Sequence, residues 1–246
     1  MARKKVILFV VEGINDETCL GGVLEGIISS NEVRFEMTNG DITTKTGIDS
    51  SKISAEIGNI VNNFRRKYHL EVSHFFEVVH LVDMDGAYIG DEDIDFAEVE
   101  NYTYTDEKIL TKDVEGTKRR NKQKREVLER MLSINKVVKS IPYSVYYFSC
   151  NMDHVFHNDR NLADKEKSRL ASEFDKKYTA DTDAFIELMK NSQFTVHGDF
   201  QDTWNFIKVS RNSLNRYSNF YSYLEKAIND NVLEGSCTKG QLPEQV

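Results

Sequence analysis

Hydrophobic and polar positions form two kinds of segment along the first part of the chain. Continuous apolar runs predict strands that are buried on both faces of a parallel sheet. Stripes with apolar residues three and four positions apart predict helices that cover such a sheet. The predicted strands are residues 5–11, 32–37, 75–82 and 143–148. The predicted helices are residues 16–29, 53–67 and 126–139. This alternation predicts an α/β fold with a mainly parallel sheet flanked by helices.

The remaining segments differ from this pattern. Residues 86–118 show no clear periodicity, and eight acids without a basic residue lie between Asp91 and Glu107. We therefore expect an insertion or a long acidic loop there. After Asn151 the apolar stripes are helical. The sequence thus predicts one α/β domain over residues 1–155, with the insertion at about 86–118, and a mainly helical C-terminal region over residues 156–246.

Cysteine use and hydropathy indicate the compartment. The three cysteines are scattered and form no CxxC spacing, which argues against a disulfide framework and a zinc finger. The first apolar run is cut by Glu12 and lacks the cleavage site of a signal peptide. No run reaches the ~20 apolar residues of a membrane span. We expect a cytoplasmic protein without a membrane partner.

Charge gives one further candidate feature. The formal net charge of −8 argues against a general nucleic-acid coat protein. The segment KRRNKQKR nevertheless holds six basic residues in eight positions: Lys118, Arg119, Arg120, Lys122, Lys124 and Arg125. Such a segment can bind the phosphates of a nucleic acid. A solvated helix start or a mobile arm explains it equally well.

Acidic or amide side chains follow three of the predicted strands. They are Glu12 and Asp16, then Asp83 and Asp85, then Asn151 and Asp153. The carboxyl ends of parallel strands lie at one edge of a sheet, so we expect these side chains to converge. Carboxylate oxygens suit Mg²⁺ or Mn²⁺, and a bound cation would relieve the repulsion between them. Individually, each acid is also explained as a helix cap or a solvated turn, and Asp16 is a fair cap.

Two of these motifs resemble a known family. "ILFVVEGINDETCL" and "VVHLVDMDGAYIG" resemble the TOPRIM fold of topoisomerases, bacterial primases, ribosomal-RNA maturation nucleases and the OLD (overcoming lysogenization defect) family. Members end their first strand in a Glu-Gly pair and their third in an Asp-x-Asp pair. The resemblance covers roughly residues 5–90 of this chain.

The resemblance implies a metal-dependent nuclease that cleaves DNA or RNA. Glu12 would be a general acid/base or a metal ligand, and Asp83 and Asp85 would hold Mg²⁺. Asp16 resembles the extra acid of OLD-like nucleases. Asp153 would help to hold a second ion, although it stands with Asn151 where a Glu-Asn type motif is expected.

The resemblance also implies a biological setting. Stand-alone relatives act in phage defence or RNA processing, and OLD-like members work with an ATPase. The chain has no GxxxxGK[ST] motif, so a separate ATPase would be the partner.

Two alternatives stay open from the sequence. "DMDGAYI" also resembles the first motif of haloacid-dehalogenase-type phosphatases, in which Asp83 would be the nucleophile and Asp85 the acid/base. Ser149, Asp199 and Asp202 would then complete the phosphatase site. The second alternative is a TOPRIM-like module that binds or regulates a partner without catalysis.

Overall fold

The structure, a computed structural model, describes the backbone of residues 4–237 and the side chains of residues 4–229. It is an α/β fold in which helices cover both faces of a mostly parallel mixed sheet. The strands are β1 (Val6–Val11), β2 (Glu32–Met37), β3 (Phe75–Asp83), β4 (Ile94–Phe96), β5 (Thr103–Tyr104), β6 (Ile109–Thr111), β7 (Lys136–Val137), β8 (Ile141–Ser149) and β9 (Tyr217–Ser218). The helices are α1 (Ile14–Ile27), α2 (Ile53–Lys67), α3 (Val114–Leu132), α4 (Met152–His157), α5 (Asp164–Ala180), α6 (Thr182–Asn191), α7 (Phe200–Ile207) and α8 (Phe220–Cys237).

The central sheet has the strand order β2-β1-β3-β8-β7, and β9 pairs with β8. The strands β2, β1, β3 and β8 are parallel, whereas β7 and β9 pair antiparallel with β8. All four strands predicted from the sequence are confirmed. Their carboxyl ends lie at one edge of the sheet, because the register pairs Val11 with Met37 and Asp83 with Phe148.

Side chains of β1 divide the core into two layers. Ile7, Phe9 and Val11 pack in the layer formed with α1, α5, α6 and α8. Val6 and the other alternate positions pack in the layer formed with α2, α3 and α7. Every residue of β1 is buried, as expected for a strand covered on both faces.

The structure corrects two predictions for the middle of the chain. Residues 86–118 are not a long loop, because β4, β6 and β5 form a second, three-stranded sheet there. Strands of two or three residues are too short to show a periodic pattern. The helix predicted at 126–139 starts earlier, at Val114, where Asp113 accepts a hydrogen bond from the Gly116 amide at 2.7 Å. It ends at Leu132, and β7 follows.

The C-terminal region is mainly helical in its described part and shares the core of the sheet. The suggested boundary between residues 155 and 156 falls inside α4. Asn219, which follows β9, is fully buried and supports β8: its Oδ1 accepts from the Tyr147 amide at 2.9 Å. The Ser218 hydroxyl donates to the Tyr147 carbonyl at 2.8 Å. Among the described residues, no helix has both the length and the apolar character needed to cross a membrane.

Candidate active site

Glu12 and Asp83 meet at the carboxyl ends of adjacent strands. Glu12 directly follows β1, and Asp83 is the last residue of β3. The Asp83 amide lies 3.5 Å from Glu12 Oε1, to which it donates a hydrogen bond. Asp83 Oδ1 in turn accepts from the Met152 amide at 2.9 Å, at the start of α4. The fold therefore joins two acids that are far apart in sequence and fixes one of them against the end of β8.

The environment of these two acids disfavours their ionised forms. Burial raises the pKa of Glu12 well above its usual value, and the charges of Asp41 and Asp85 act in the same direction. Burial also raises the pKa of Asp83, followed by the charge of Glu12 and then that of Asp16. Negative charge is thus concentrated at this edge of the sheet, and the charge of Lys124 offsets it only in part.

The second acid of the Asp-x-Asp pair is held by a buried lysine. Lys124 is fully buried, and its Nζ lies 2.7 Å from Asp85 Oδ2 and 2.8 Å from Asp41 Oδ2. Asp85 Oδ1 also accepts from the Tyr104 hydroxyl at 3.3 Å. The Asp85 backbone is in the left-handed region, with φ of 50°. Such a conformation costs energy in a residue other than glycine, so its surroundings hold Asp85 in place.

The pKa values of the lysine and its partners follow from this contact. Burial acts to lower the pKa of Lys124, but the charges of Asp41 and Asp85 outweigh it and raise the pKa well above its usual value. Burial acts to raise the pKa of Asp41, but the charge and hydrogen bonds of its partners outweigh it and lower the pKa to about 2. Lys124 and Asp41 therefore form a stable ion pair at neutral pH.

Asp41 was missed in the sequence. It lies in the loop that follows β2, and its Oδ1 accepts from the amide and the hydroxyl of Thr43 at 2.7 and 2.5 Å. The signal was present, because β2 was predicted as a further parallel strand of the same sheet. An acid after its carboxyl end belongs at the same edge as Glu12 and Asp83.

Asp16 acts first as a local helix residue. Its Oδ2 accepts from the Gly13 amide at 2.9 Å, at the start of α1. Asp16 was predicted to cap this helix, but the N-cap residue is Gly13, and Asp16 is the third residue of α1, whose side chain accepts from the N-cap amide. Burial nevertheless raises the pKa of Asp16 to about 6, and the charge of Asp153 acts in the same direction. Asp16 thus combines a structural role with a place beside the other acids.

The residues after β8 are engaged with their own neighbours. The Asn151 side chain accepts from the His154 amide at 2.8 Å and so caps α4. Asp153 lies 3.7 Å from Lys167 Nζ, and burial raises its pKa against the effect of that lysine. Asn151 therefore serves as a helix cap, and Asp153 contributes a carboxylate beside Lys167.

A cleft of about 730 Å³ opens beside the Asp-x-Asp pair. Its other walls are formed by the insertion, by the loop before α5 and by the first turn of α5. The residues that line it include Asp83, Asp85, Glu100, Asn101, Tyr102, Tyr104, Asp153, Arg160, Asn161 and Lys167. The adjacent Glu100 and Asn101 form a Glu-Asn pair inside the insertion. The sequence did not indicate that these residues line a cleft, because the acidic segment was interpreted as a loop.

Three residues of the basic segment point into the protein. Arg120 donates to the Asp85 carbonyl at 2.8 Å, and Arg125 donates to the Ala87 carbonyl at 2.8 Å. Lys124 is the buried partner of Asp85. These three side chains brace the turn after β3, so they are not available as a continuous phosphate-binding surface.

The other three basic residues lie toward the solvent on α3. Lys118 pairs with Glu115 at 2.8 Å, and Lys122 lies 4.0 Å from Glu126. Arg119 is exposed. The segment is a well-formed part of a helix rather than a mobile arm, and its outer half matches the interpretation as a solvated helix face.

The donor chemistry of this edge fits a hard divalent cation. The acids that act on one another here, with Lys124 as their buried cation, are Glu12, Asp16, Asp41, Asp83 and Asp85. Across the described residues, no three His, Cys, Asp or Glu side chains are already arranged to hold a metal ion. Asp85 is turned onto Lys124, which explains part of that result. The residues therefore supply oxygen ligands and excess negative charge, but not a closed coordination shell.

The residues of the alternative phosphatase site are engaged elsewhere. The Ser149 hydroxyl donates to the Asn212 carbonyl at 2.9 Å. Asp199 caps α7 by accepting from the Asp202 amide at 2.8 Å. None of these side chains lines the cleft beside Asp83.

Comparison of the chain with protein-family models, with curated proteins and with solved structures gave no match.

Proposed function

We propose that this protein has a TOPRIM-like fold and is a metal-dependent nuclease that hydrolyses phosphodiester bonds of DNA or RNA. The observation that supports this most directly is the contact of Glu12 with the Asp83 amide at 3.5 Å. It joins the Glu-Gly and Asp-x-Asp motifs at the ends of adjacent parallel strands. Ligand sites of open α/β sheets lie at this position.

The proposal assigns different tasks to the acids. Glu12, Asp83 and Asp85 would hold one Mg²⁺ or Mn²⁺ ion, and Asp16 and Asp153 would help with a second. A bound ion would polarise the phosphoryl oxygens and lower the pKa of a water molecule. Glu12 would also exchange a proton with the reacting groups, because burial and the neighbouring acids raise its pKa above the usual value.

Further parts of the proposal rest on the resemblance alone. They are the cytoplasmic location, the role in phage defence or RNA processing, and the separate ATPase partner. Co-purification of the tagged protein with an ATPase would support the partner.

The first testable prediction concerns Glu12. Purified protein with Mg²⁺ or Mn²⁺ should cleave labelled DNA or RNA, and Glu12→Gln should lower the rate by at least about 100-fold, the contribution typical of general acid–base catalysis. Gel analysis of the products measures the rate. Glu25→Gln is the control, because Glu25 is an exposed acid of α1.

The same preparation distinguishes the alternatives. Hydrolysis of small phosphomonoesters that is lost in Asp83→Asn, without cleavage of polynucleotides, would favour the phosphatase. Binding without any hydrolysis would favour the non-catalytic module. Equal nuclease rates for the wild type and Glu12→Gln would contradict our assignment of this site.

A further inference from the structure

The wall of the cleft opposite the sheet has the features of a binding surface for unpaired nucleotides. This wall is formed by residues 99–104 of the insertion and residues 160–167 around the start of α5. It contains aromatic, basic and amide side chains together with the acids Glu100 and Asp164, whereas the sheet side contributes Asp83 and Asp85. The two sides therefore differ in chemistry, and each suits a different part of a nucleotide.

Tyr102 is the aromatic residue best placed for stacking. It is 41% exposed although it lines the cleft, and tyrosine rings offer a flat apolar face to a base. The guanidinium carbon of Arg120 lies 4.4 Å from the centre of the Tyr102 ring. This cation–π contact covers one part of the ring and fixes its orientation.

Arg120 contacts both Tyr102 and the backbone of Asp85. Its guanidinium donates to the Asp85 carbonyl at 2.8 Å and to the Tyr104 hydroxyl at 3.3 Å. The ring of Tyr102 is therefore separated from Asp85 by a single side chain. A base stacked on that ring would place the neighbouring phosphate close to the carboxylates.

Two basic residues on the same wall can bind phosphate oxygens. Nη1 of Arg160 is buried and has no hydrogen-bond partner among the described residues, although Nη2 pairs with Asp106. Lys167, whose side chain is 34% exposed, lies in the cleft with its Nζ 3.3 Å from Asp164 and 3.7 Å from Asp153. Arg160 lines the cleft, and a rotation of its side chain would bring the unpaired Nη1 to an anionic ligand there.

The two parts of this wall are joined to each other. Asn161 Oδ1 accepts from the Tyr104 amide at 2.8 Å, and Asn161 Nδ2 donates to the Tyr104 carbonyl at 2.8 Å. This pair of hydrogen bonds connects the insertion to the loop before α5. The stacking side chain and the phosphate-binding side chains are thus held in one fixed arrangement.

The size of the cleft favours an unpaired strand over a double helix. Its volume of about 730 Å³ falls within the roughly 300–1,000 Å³ of small-molecule pockets. Bases within a duplex also have no free face to offer Tyr102, because both faces are stacked on neighbouring bases.

We propose that the cleft binds single-stranded nucleic acid, with one base stacked on Tyr102 and adjacent phosphates bound by Arg160 and Lys167. The inference rests on the proposed nuclease function and specifies its substrate class. It assigns nucleic-acid recognition to the wall formed by residues 99–104 and 160–167, and not to the basic segment of α3.

A stacking-sensitive probe tests the inference apart from catalysis. A short single-stranded oligonucleotide that contains 2-aminopurine is titrated with the protein, in Ca²⁺ to limit cleavage, and its fluorescence and anisotropy are recorded. We expect quenching of the probe by the wild type. Tyr102→Ala should abolish the quenching and weaken binding about 5- to 100-fold, as for one lost base–aromatic stack. Tyr102→Phe should retain both, because it keeps the ring.

Further measurements test whether the effect is specific to Tyr102, whether Lys167 contacts a phosphate and whether the strand must be unpaired. Tyr68→Ala removes another partly exposed tyrosine, 45% exposed at the end of α2, and should change neither signal. Lys167→Gln should weaken the salt dependence of binding, with a slope smaller by about 0.7 for one lost phosphate contact to a single strand. Duplex of the same sequence should bind more weakly than the single strand, in DNA and in RNA.

The outcomes separate this inference from the proposed function. If Tyr102→Ala binds and quenches like the wild type, or if duplex binds as tightly as the single strand, the inference is wrong. The nuclease proposal survives that result when the wild type cleaves and Glu12→Gln does not. If the wild type neither binds nor cleaves any polynucleotide, both are wrong.

Discussion

Lys124 is the residue on which the charge balance of the site depends. It is fully buried, and its ammonium group contacts Asp41 and Asp85 within 2.8 Å. A buried charge pair contributes little when complete, but removal of one partner leaves the other buried and unpaired. Lys124 therefore acts as an internal counter-ion that positions Asp85, and it is too deeply buried to contact a substrate phosphate directly.

The second prediction follows from this role. Lys124→Met keeps a side chain of similar length but leaves Asp41 and Asp85 without their cation. The free energy of unfolding at neutral pH should fall by about 3–5 kcal/mol. Urea denaturation measures it. Lys122→Met is the matched control on the same helix, with its side chain 72% exposed, and should change stability by less than about 0.5 kcal/mol. A loss below about 1 kcal/mol for Lys124→Met would contradict this role.

At this scale, the acids could be predicted from the sequence, but the buried lysine that pairs with them could not. Glu12, Asp83 and Asp85 could be identified because each follows a long apolar run. Lys124 was assigned instead to a phosphate-binding segment, because six neighbouring basic residues look alike in sequence. Only the helical phase of α3 shows which of them face inward, and that phase was not visible while the helix was predicted to begin at residue 126.

At the scale of elements, the long strands were predictable and the short ones were not. The strands β1, β3 and β8 contain nearly continuous apolar runs, so they stand out in the sequence. The strands β4, β5 and β6 have two or three residues each, and their pairing depends on contacts between distant parts of the chain. The cleft wall that contains Tyr102 was therefore beyond the reach of pattern reasoning.

The third prediction concerns the contact of α1 with α5 and compares alanine substitutions at two glycines. A Cβ at Gly22 would lie 2.7 Å from Asp175 Oδ1 and 3.1 Å from Thr179 Cγ2 of α5. Gly22→Ala should therefore force the helices apart and lower stability by about 1–3 kcal/mol. Gly58→Ala is the matched control in α2, where a Cβ would meet nothing within 4 Å. It should raise stability by about 0.5–1 kcal/mol, since alanine favours the helix.

Thermal unfolding of both glycine variants checks the prediction. The two substitutions are chemically identical, so the difference between their melting temperatures reports the contact with α5. A melting temperature for Gly22→Ala equal to or above that for Gly58→Ala would show that α5 yields to the added methyl group at no cost.

At the scale of the whole molecule, a buried histidine makes stability depend on pH. His80 lies in β3, where it is 2% exposed, and its Nδ1 is 3.0 Å from the Tyr143 hydroxyl. Burial lowers the pKa of His80 from 6.5 to about 4, against the opposing charge of Asp41. Between these two values the unfolded chain binds the extra proton and the folded chain does not.

The fourth prediction is the resulting loss of stability in acid. As pH falls from about 6.5 to about 4, His80 should lower the free energy of unfolding by up to about 3 kcal/mol. Glu12, Asp16 and Asp83 raise the free energy of unfolding as pH falls. Their pKa values are raised in the folded protein, and their mutual repulsion decreases as they take up protons. Comparison of the wild type with His80→Asn at each pH isolates the histidine.

Urea denaturation at pH values between 4 and 7 measures this comparison. This range includes the pKa of His80 in the folded protein and in the unfolded chain. The difference between wild type and His80→Asn should change with pH. His69→Asn, at an exposed histidine after α2, is the control for the loss of an imidazole from the protein surface. Parallel pH profiles for the wild type and His80→Asn would show that His80 titrates normally in the folded protein.

The pairing of β9 with β8 has a consequence for synthesis on the ribosome. Tyr147, in the strand beside β3, depends on Ser218 and Asn219 for hydrogen bonds to its carbonyl and its amide. Those partners are translated about seventy residues after it. A nascent chain thus carries all the acids of the site well before it can complete the sheet that aligns them.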